Sequence, residues 1–127
     1  MQYLLDTHTF IWFIEDDKML SPKAAKEIIE INNDCYLSIA SLWEIAIKIN
    51  IGKLILKVPF KDLISLIIEN NIQILSIDFE HLQKLMTLEL IHRDPFDRII
   101  IAQAIVHNFT IIGNDKNFKY YPIKCIC

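Results

Sequence analysis

With 127 residues, 53% of them hydrophobic and only two glycines and four prolines, the chain has the material for one domain over residues 1–127 and little linker composition. Thirteen basic against sixteen acidic residues give a formal charge of −3, which taken alone speaks against a nucleic-acid surface. No apolar run reaches membrane-spanning length, the start lacks the basic-then-apolar pattern of a secretory signal, and three cysteines form no framework, so a cytoplasmic, reducing setting is expected.

The elements alternate along the chain. Gln2 to Leu5 reads as a short buried strand ending at Asp6, and Thr9 to Glu15 as a short helix. Ser21-Pro22 opens an amphipathic helix with Ala25, Ile28 and Ile29 on one face. Cys35 to Ser38 is a second strand. Ser41 is placed to cap a helix running to about Asn50, with Gly52 as its stop. Phe60 to Glu69 is a helix, and Ile72 to Leu75 a third strand. Asp78 caps a helix over Phe79 to Met86. In HRDPFDRIIIAQA, residues 92–104, Asp94 fits an N-cap, Pro95 the first helical position, and Asp97 the first turn of a helix reaching about Asn108. Thr110 to Ile112 is a fourth strand, and a weak fifth lies near Pro122 and Ile123. Cys125-Ile126-Cys127 lacks the second pair a zinc site needs and reads as a frayed tail. Four-residue apolar strands separated by helices indicate a parallel sheet covered on both faces, with any ligand site beyond the strands' carboxyl ends.

Four acids fall on that edge. Asp6 ends the first strand, Asp115 follows the fourth, and Asp97 opens the helix that feeds the fourth. Glu44 is the only acid in SLWEIAIKI, directly after the second strand. Each has an ordinary role open to it. Asp6 or Thr7 can cap a helix, Glu44 can complete a capping box with Ser41 or pair with Lys48, Asp97 can answer the helix dipole, and Asp115 can serve a turn. Four carboxylates gathered on one edge repel unless a cation joins them. An all-oxygen set selects a hard ion, Mg²⁺ or Mn²⁺, one or two of them. Two such ions about 3.5–4 Å apart activate water and stabilise the leaving oxygen in phosphodiester hydrolysis. So loaded, the protein loses its negative excess. Lys48, Lys53, Lys57, Lys61, Arg93, Arg98, Lys116 and Lys119 are then free to ring the site.

LLDTHTFIWFIEDD at 4–17, SLWEIAIKINIGKL at 41–54, HRDPFDRIIIAQA at 92–104 and IIGNDKNF at 111–118 together resemble the PIN-domain family, most of all the VapC-type toxins of bacterial toxin–antitoxin pairs. The resemblance runs in order over essentially the whole chain. It implies a three-layer α/β/α fold around a mainly parallel sheet of four to five short strands. The family's acid quartet maps onto Asp6, Glu44, Asp97 and Asp115, with Thr7 and Asp94 in support. It implies a metal-dependent endoribonuclease cutting single-stranded or structured RNA, tRNA or rRNA among them. Its partners would be a second copy of the chain and an antitoxin whose apolar segment ends in a basic side chain. A mean hydropathy of +0.30 agrees with apolar surface being covered by such partners. The fourth block departs from the family pattern, with Gly113 where Ser or Thr commonly stands.

Roles follow from this mapping. Asp6, Glu44 and Asp97 would hold one ion directly, and Asp115 would act through water or on a second ion. Arg98 is a candidate for RNA phosphate or a partner, or for a surface ion pair. His8, His81, His92 and His107 are scattered, with His8 and His92 nearest the rim, and read as structural. Trp12 and Trp43 read as core or interface, and Tyr120 and Tyr121 as packing. Two other classes compete: a Mg²⁺-dependent phosphoryl-transfer enzyme such as a receiver or phosphatase, and a PIN-like interaction module of weak or no catalysis.

Overall fold

The computed structural model describes residues 1–91 and 94–127; His92 and Arg93, two of the rim candidates, lie outside the described residues. Among the described residues, five parallel strands form the sheet: β1 (Gln2–Leu5), β2 (Asp34–Ser38), β3 (Ile72–Leu75), β4 (Thr110–Ile112) and β5 (Cys125–Ile126). Their order is β3-β2-β1-β4-β5. The chain therefore builds outward from β1 on one side and then crosses to the other. The point of reversal lies between β1 and β4, where an open α/β sheet leaves a crevice at its carboxyl edge.

Among the described residues, six helices connect the strands: α1 (Thr7–Ile14), α2 (Pro22–Ile29), α3 (Ile39–Asn50), α4 (Leu63–Glu69), α5 (Phe79–Thr87) and α6 (Pro95–His107). A short 3₁₀ turn, Phe60–Asp62, precedes α4, and another, Lys116–Tyr120, follows β4. Side chains of a strand alternate between faces, and β1 shows the consequence. Tyr3 and Leu5 enter one core with Phe10, Leu37, Ile45 and Ile67, while Leu4 enters the other with Ile100, Ile101 and Ile111. Both faces of the sheet are thus covered, as the run of apolar strand residues requires. In α6, every residue from Ile99 to Ala104 is buried. That is why this helix lacks polar relief: the sheet covers one side, and α3 and α5 cover others.

Several boundaries differ from the sequence expectation. Helix α1 begins at Thr7, because Asp6 caps it by accepting from the Thr9 N–H at 2.7 Å. Helix α3 begins at Ile39, with Ser38 as cap through the Ala40 N–H at 3.1 Å. Ser41 is therefore inside the helix, and Glu44 completes no capping box with it. The buried face of α2 is Ala24 and Ile28, which leaves Ile29 exposed. The fifth strand lies at Cys125–Ile126 rather than near Pro122. The Cys-Ile-Cys end is therefore paired to β4, Ile111 with Cys125 and Ile112 with Ile126, and is no frayed tail. No described helix is long and apolar enough to cross a membrane.

Candidate functional site

Asp6 follows β1 at the point of reversal. Parallel pairing sets Leu5 beside Ile112, and the Asp6 N–H donates to the Ile112 carbonyl at 3.0 Å, so the next residue along β4, Gly113, faces Asp6. The Asp6 side chain is only 5% exposed. Burial pushes its carboxyl above the ordinary aspartate value. Hydrogen bonds from Thr9 and from the Asn114 backbone, together with the charge of His8, oppose that rise. Among the described residues no lysine or arginine forms an ion pair with it. A buried carboxylate in that position gains from a nearby cation.

Glu44 is 3% exposed on the second turn of α3. Its Oε1 accepts from the Thr7 hydroxyl at 2.7 Å, and its Oε2 accepts from the Lys48 ammonium at 2.6 Å. Thr7 also lies 3.0 Å from the Ser41 hydroxyl. The i, i+4 pair expected from the sequence is therefore present, while Thr7 and Ser41 add a link between α1 and α3. Two consecutive residues, Asp6 and Thr7, thus reach in different directions: one to the end of β4, the other to Glu44.

Helix α6 starts as its sequence indicates. Asp94 accepts from the backbone N–H groups of Phe96 at 2.8 Å and Asp97 at 3.1 Å, and Pro95 occupies the first helical position. Asp97 is half-buried in the first turn, where the helix dipole favours its charge. Phe96 meets Trp43 edge to face, with ring centres 5.1 Å apart. The neighbours of Glu44 and Asp97 therefore pack on each other, which fixes α3 against the start of α6. Arg98 donates to the main-chain carbonyls of Glu89 at 2.8 Å and Leu88 at 3.4 Å, tying the end of α5 to α6.

Asp115 caps the 3₁₀ turn after β4, accepting from the Asn117 N–H at 2.8 Å. Its place relative to Asp6 shows in Cys125, whose thiol sits 3.6 Å from the Gly113 carbonyl although the residue as a whole is exposed. Burial of that thiol, then the charges of Asp6, Cys127 and Asp115, push it up to about 11.

Direct contacts link Asp6 to the strand end carrying Asp115, and Thr7 to Glu44; Asp97 is connected through the Trp43–Phe96 pair. Among the described residues, no three carboxylate, imidazole or thiol groups form a ready-made ion cage. Asp6, Glu44 and Asp115 are each engaged by protein donors, and the bonds that engage them serve caps, a turn and an ion pair. The oxygen chemistry of the four acids nonetheless suits a hard divalent cation. Lys48 pairs with Glu44 as its spacing indicated, while Ser41 joins the network through Thr7 rather than through a capping box. The Lys48 spacing was readable, whereas the Ser41–Thr7 contact spans 34 residues and left no local signal. His81 and His107, which looked isolated, meet at 2.8 Å between α5 and α6. Trp43 is 59% exposed, Tyr121 is buried, and Tyr120 lies on the surface beneath Lys119.

The fold is shared with solved toxin–antitoxin proteins. The chain aligns with one from VapBC2 of Rickettsia felis, solved bound to a promoter DNA fragment, at 19% identity over 99% of this chain and 98% of that one, with a TM-score of 0.74. FitAcB from Neisseria gonorrhoeae gives 20% identity over 98% and 96%, with a TM-score of 0.67. A toxin–antitoxin complex from Klebsiella pneumoniae gives 18% over 98% and 96%, with a TM-score of 0.62. No curated protein matches the sequence. The family model for the PIN domain matches residues 3–124, and the chain therefore belongs to the PIN-domain family.

Proposed function

We propose that this protein is a VapC-type toxin: a Mg²⁺- or Mn²⁺-dependent endoribonuclease that cuts single-stranded or structured RNA, with tRNA or rRNA as the substrate class. PIN domains are generally nucleases and typically depend on divalent metal. The observation that carries the reading is Asp6, a buried carboxylate at the sheet's point of reversal, lacking an ion-pairing lysine or arginine among the described residues and set against the strand end that leads to Asp115.

In this reading Asp6, Glu44 and Asp97 hold the ion, with Asp115 acting through water or on a second ion. When bound, such an ion supplies Lewis acidity toward the phosphate and toward a water. The chain's own residues do the rest. Thr7 and Lys48 hold Glu44 aimed, Asp94 sets the first turn of α6 and so the place of Asp97, and Arg98 ties the Leu88 and Glu89 carbonyls to α6. The positive end of α6 adds attraction for phosphate. The partners we assign are a second copy of the chain and a cognate antitoxin with an apolar segment and a basic tip. Support comes from the exposed Ile39, Trp43 and Ile47 on α3 and Phe79, Leu82 and Met86 on α5, and from the toxin–antitoxin complexes that share the fold.

The engagement of both Glu44 oxygens by Thr7 and Lys48 favours one rival, a PIN-like interaction module of weak catalysis. Incubating pure protein with labelled RNA separates the two. The nuclease reading predicts cleavage that needs Mn²⁺ or Mg²⁺, stops with chelator, and falls about a hundredfold or more in Asp6→Asn and Asp97→Asn. Equal cleavage by wild type and variants means that the activity is a contaminant's or that the roles given to Asp6 and Asp97 are wrong, and no cleavage under any metal supports the rival.

A further inference from the structure

Gly113 stands where the family pattern commonly has a hydroxyl residue, and its backbone does not explain the choice. Gly52 is the one glycine here with positive φ, so Gly113 has a conformation open to any residue. The surroundings do explain it. A Cβ built on Gly113 would lie 2.7 Å from Oδ2 of Asp6 and 3.0 Å from its Cγ, and also 2.7 Å from Cε2 of Phe118. Such separations are well inside carbon–oxygen and carbon–carbon contact. Asp6 is buried and bonded to Thr9, and Phe118 is fully buried, so neither side chain has room to retreat. Gly113 is also held at both of its backbone polar groups. Its N–H donates to the Ile126 carbonyl at 2.9 Å, and its own carbonyl receives the Cys125 thiol.

We infer that Gly113 is a positioning residue for Asp6. Its missing side chain opens the gap in which the Asp6 carboxylate rests against the end of β4, within reach of the Asn114 N–H. It touches neither ion nor substrate; it acts through the place it leaves for Asp6. The inference rests on the reading of Asp6 as a metal ligand, but its structural half stands on the contact alone. One consequence runs against the family pattern: Gly113→Ser damages the site in this chain.

The test is a double-mutant cycle in thermal stability between Gly113→Ala and Asp6→Ser. Serine keeps a capping oxygen for α1 but removes the crowding carboxylate. The cycle is run in wild type and again with Phe118→Leu, which removes the ring edge that the new Cβ would also meet. Gly113→Ala is expected to lower Tm by about 5 °C with Asp6 present and by less than half of that in the Asp6→Ser background. Equal losses in both backgrounds overturn the proposal. Separately, Mn²⁺ affinity measured by electron paramagnetic resonance is expected to fall about tenfold or more in Gly113→Ser and in Gly113→Ala/Phe118→Leu. An affinity unchanged from wild type in those variants overturns it. A wild-type protein that binds no Mn²⁺ overturns the nuclease reading instead, and the stability cycle still decides the role of Gly113.

Discussion

At Asp6, burial and charge pull in opposite directions. The carboxylate caps α1, which its β-region backbone and its acceptor oxygen suit, yet burial raises its pKa and makes ionisation costly in the absence of a cation. Asparagine caps nearly as well and carries no charge. Asp6→Asn is therefore expected to raise Tm in metal-free buffer at pH 7 by a few degrees, about 4 °C for each ~1 kcal/mol in a chain of this size, while losing Mn²⁺ binding. A variant less stable than wild type in chelator shows that the charge is already compensated. From sequence, Asp6, Asp97 and Asp115 were visible because each stands at or near the end of an apolar element, and Glu44 because it is the only acid in the apolar stretch SLWEIAIKI. The meaning of Gly113 was not visible. It depends on an oxygen at the opposite end of the chain, and no local pattern reports such a contact.

Among the elements, α6 was the most legible and α3 the least certain at its start. Asp94-Pro95 and the first-turn Asp97 leave one place for α6 to begin. The spacing pointed to Ser41 as the cap of α3, but the strand end supplies the cap instead, since β2 stops at Ser38 and its hydroxyl is already beside the Ala40 N–H. The continuous buried face of α6 makes it sensitive to truncation. Ile101→Ala is expected to destabilise by about 2–5 kcal/mol in denaturant unfolding. A loss near zero places the residue outside the core.

The α5–α6 seam carries the His81–His107 contact, which linear separation hid. Asp78 donates its N–H to Nδ1 of buried His81 at 3.1 Å, so Nδ1 is unprotonated, and Nε2 carries the hydrogen toward His107. A second proton on either ring sets two N–H groups face to face or breaks the cap. Burial, then the neighbouring His107, lowers the His81 pKa below 6.5, while Asp78 and Glu80 oppose the shift. For a base with a depressed folded value, the stability is present above the unfolded pKa and is lost as pH falls through the folded one. Unfolding free energy is thus expected to drop between pH 7 and pH 5 in wild type and to drop less in His81→Gln. Parallel pH profiles rule the pair out as the source.

On the scale of the whole molecule, the sheet order matters more than any single helix. The sequence showed parallel strands between helices but not their spatial order, because each strand's partners are chosen by packing on both faces. The order β3-β2-β1-β4-β5 puts the first and fourth strands side by side and so brings the beginning of the chain to its end. β5 was misplaced from sequence because two residues of pairing leave hardly any periodicity to read. The exposed apolar stripes on α3 and α5 exceed what scattered surface residues need. Light scattering of the chain alone is expected to give twice the monomer mass, and a monomer at micromolar concentration contradicts the assignment of a second copy as partner. The central claim is that four carboxylates from separate elements serve one divalent ion site. Calorimetric titration with Mn²⁺ of wild type and of Asp6→Asn, Glu44→Gln, Asp97→Asn and Asp115→Asn tests it most directly. One or two ions should bind to the wild type, with affinity lost in the first three variants and reduced in the fourth. Absence of binding to wild type, or unchanged binding in the first three variants, would contradict it.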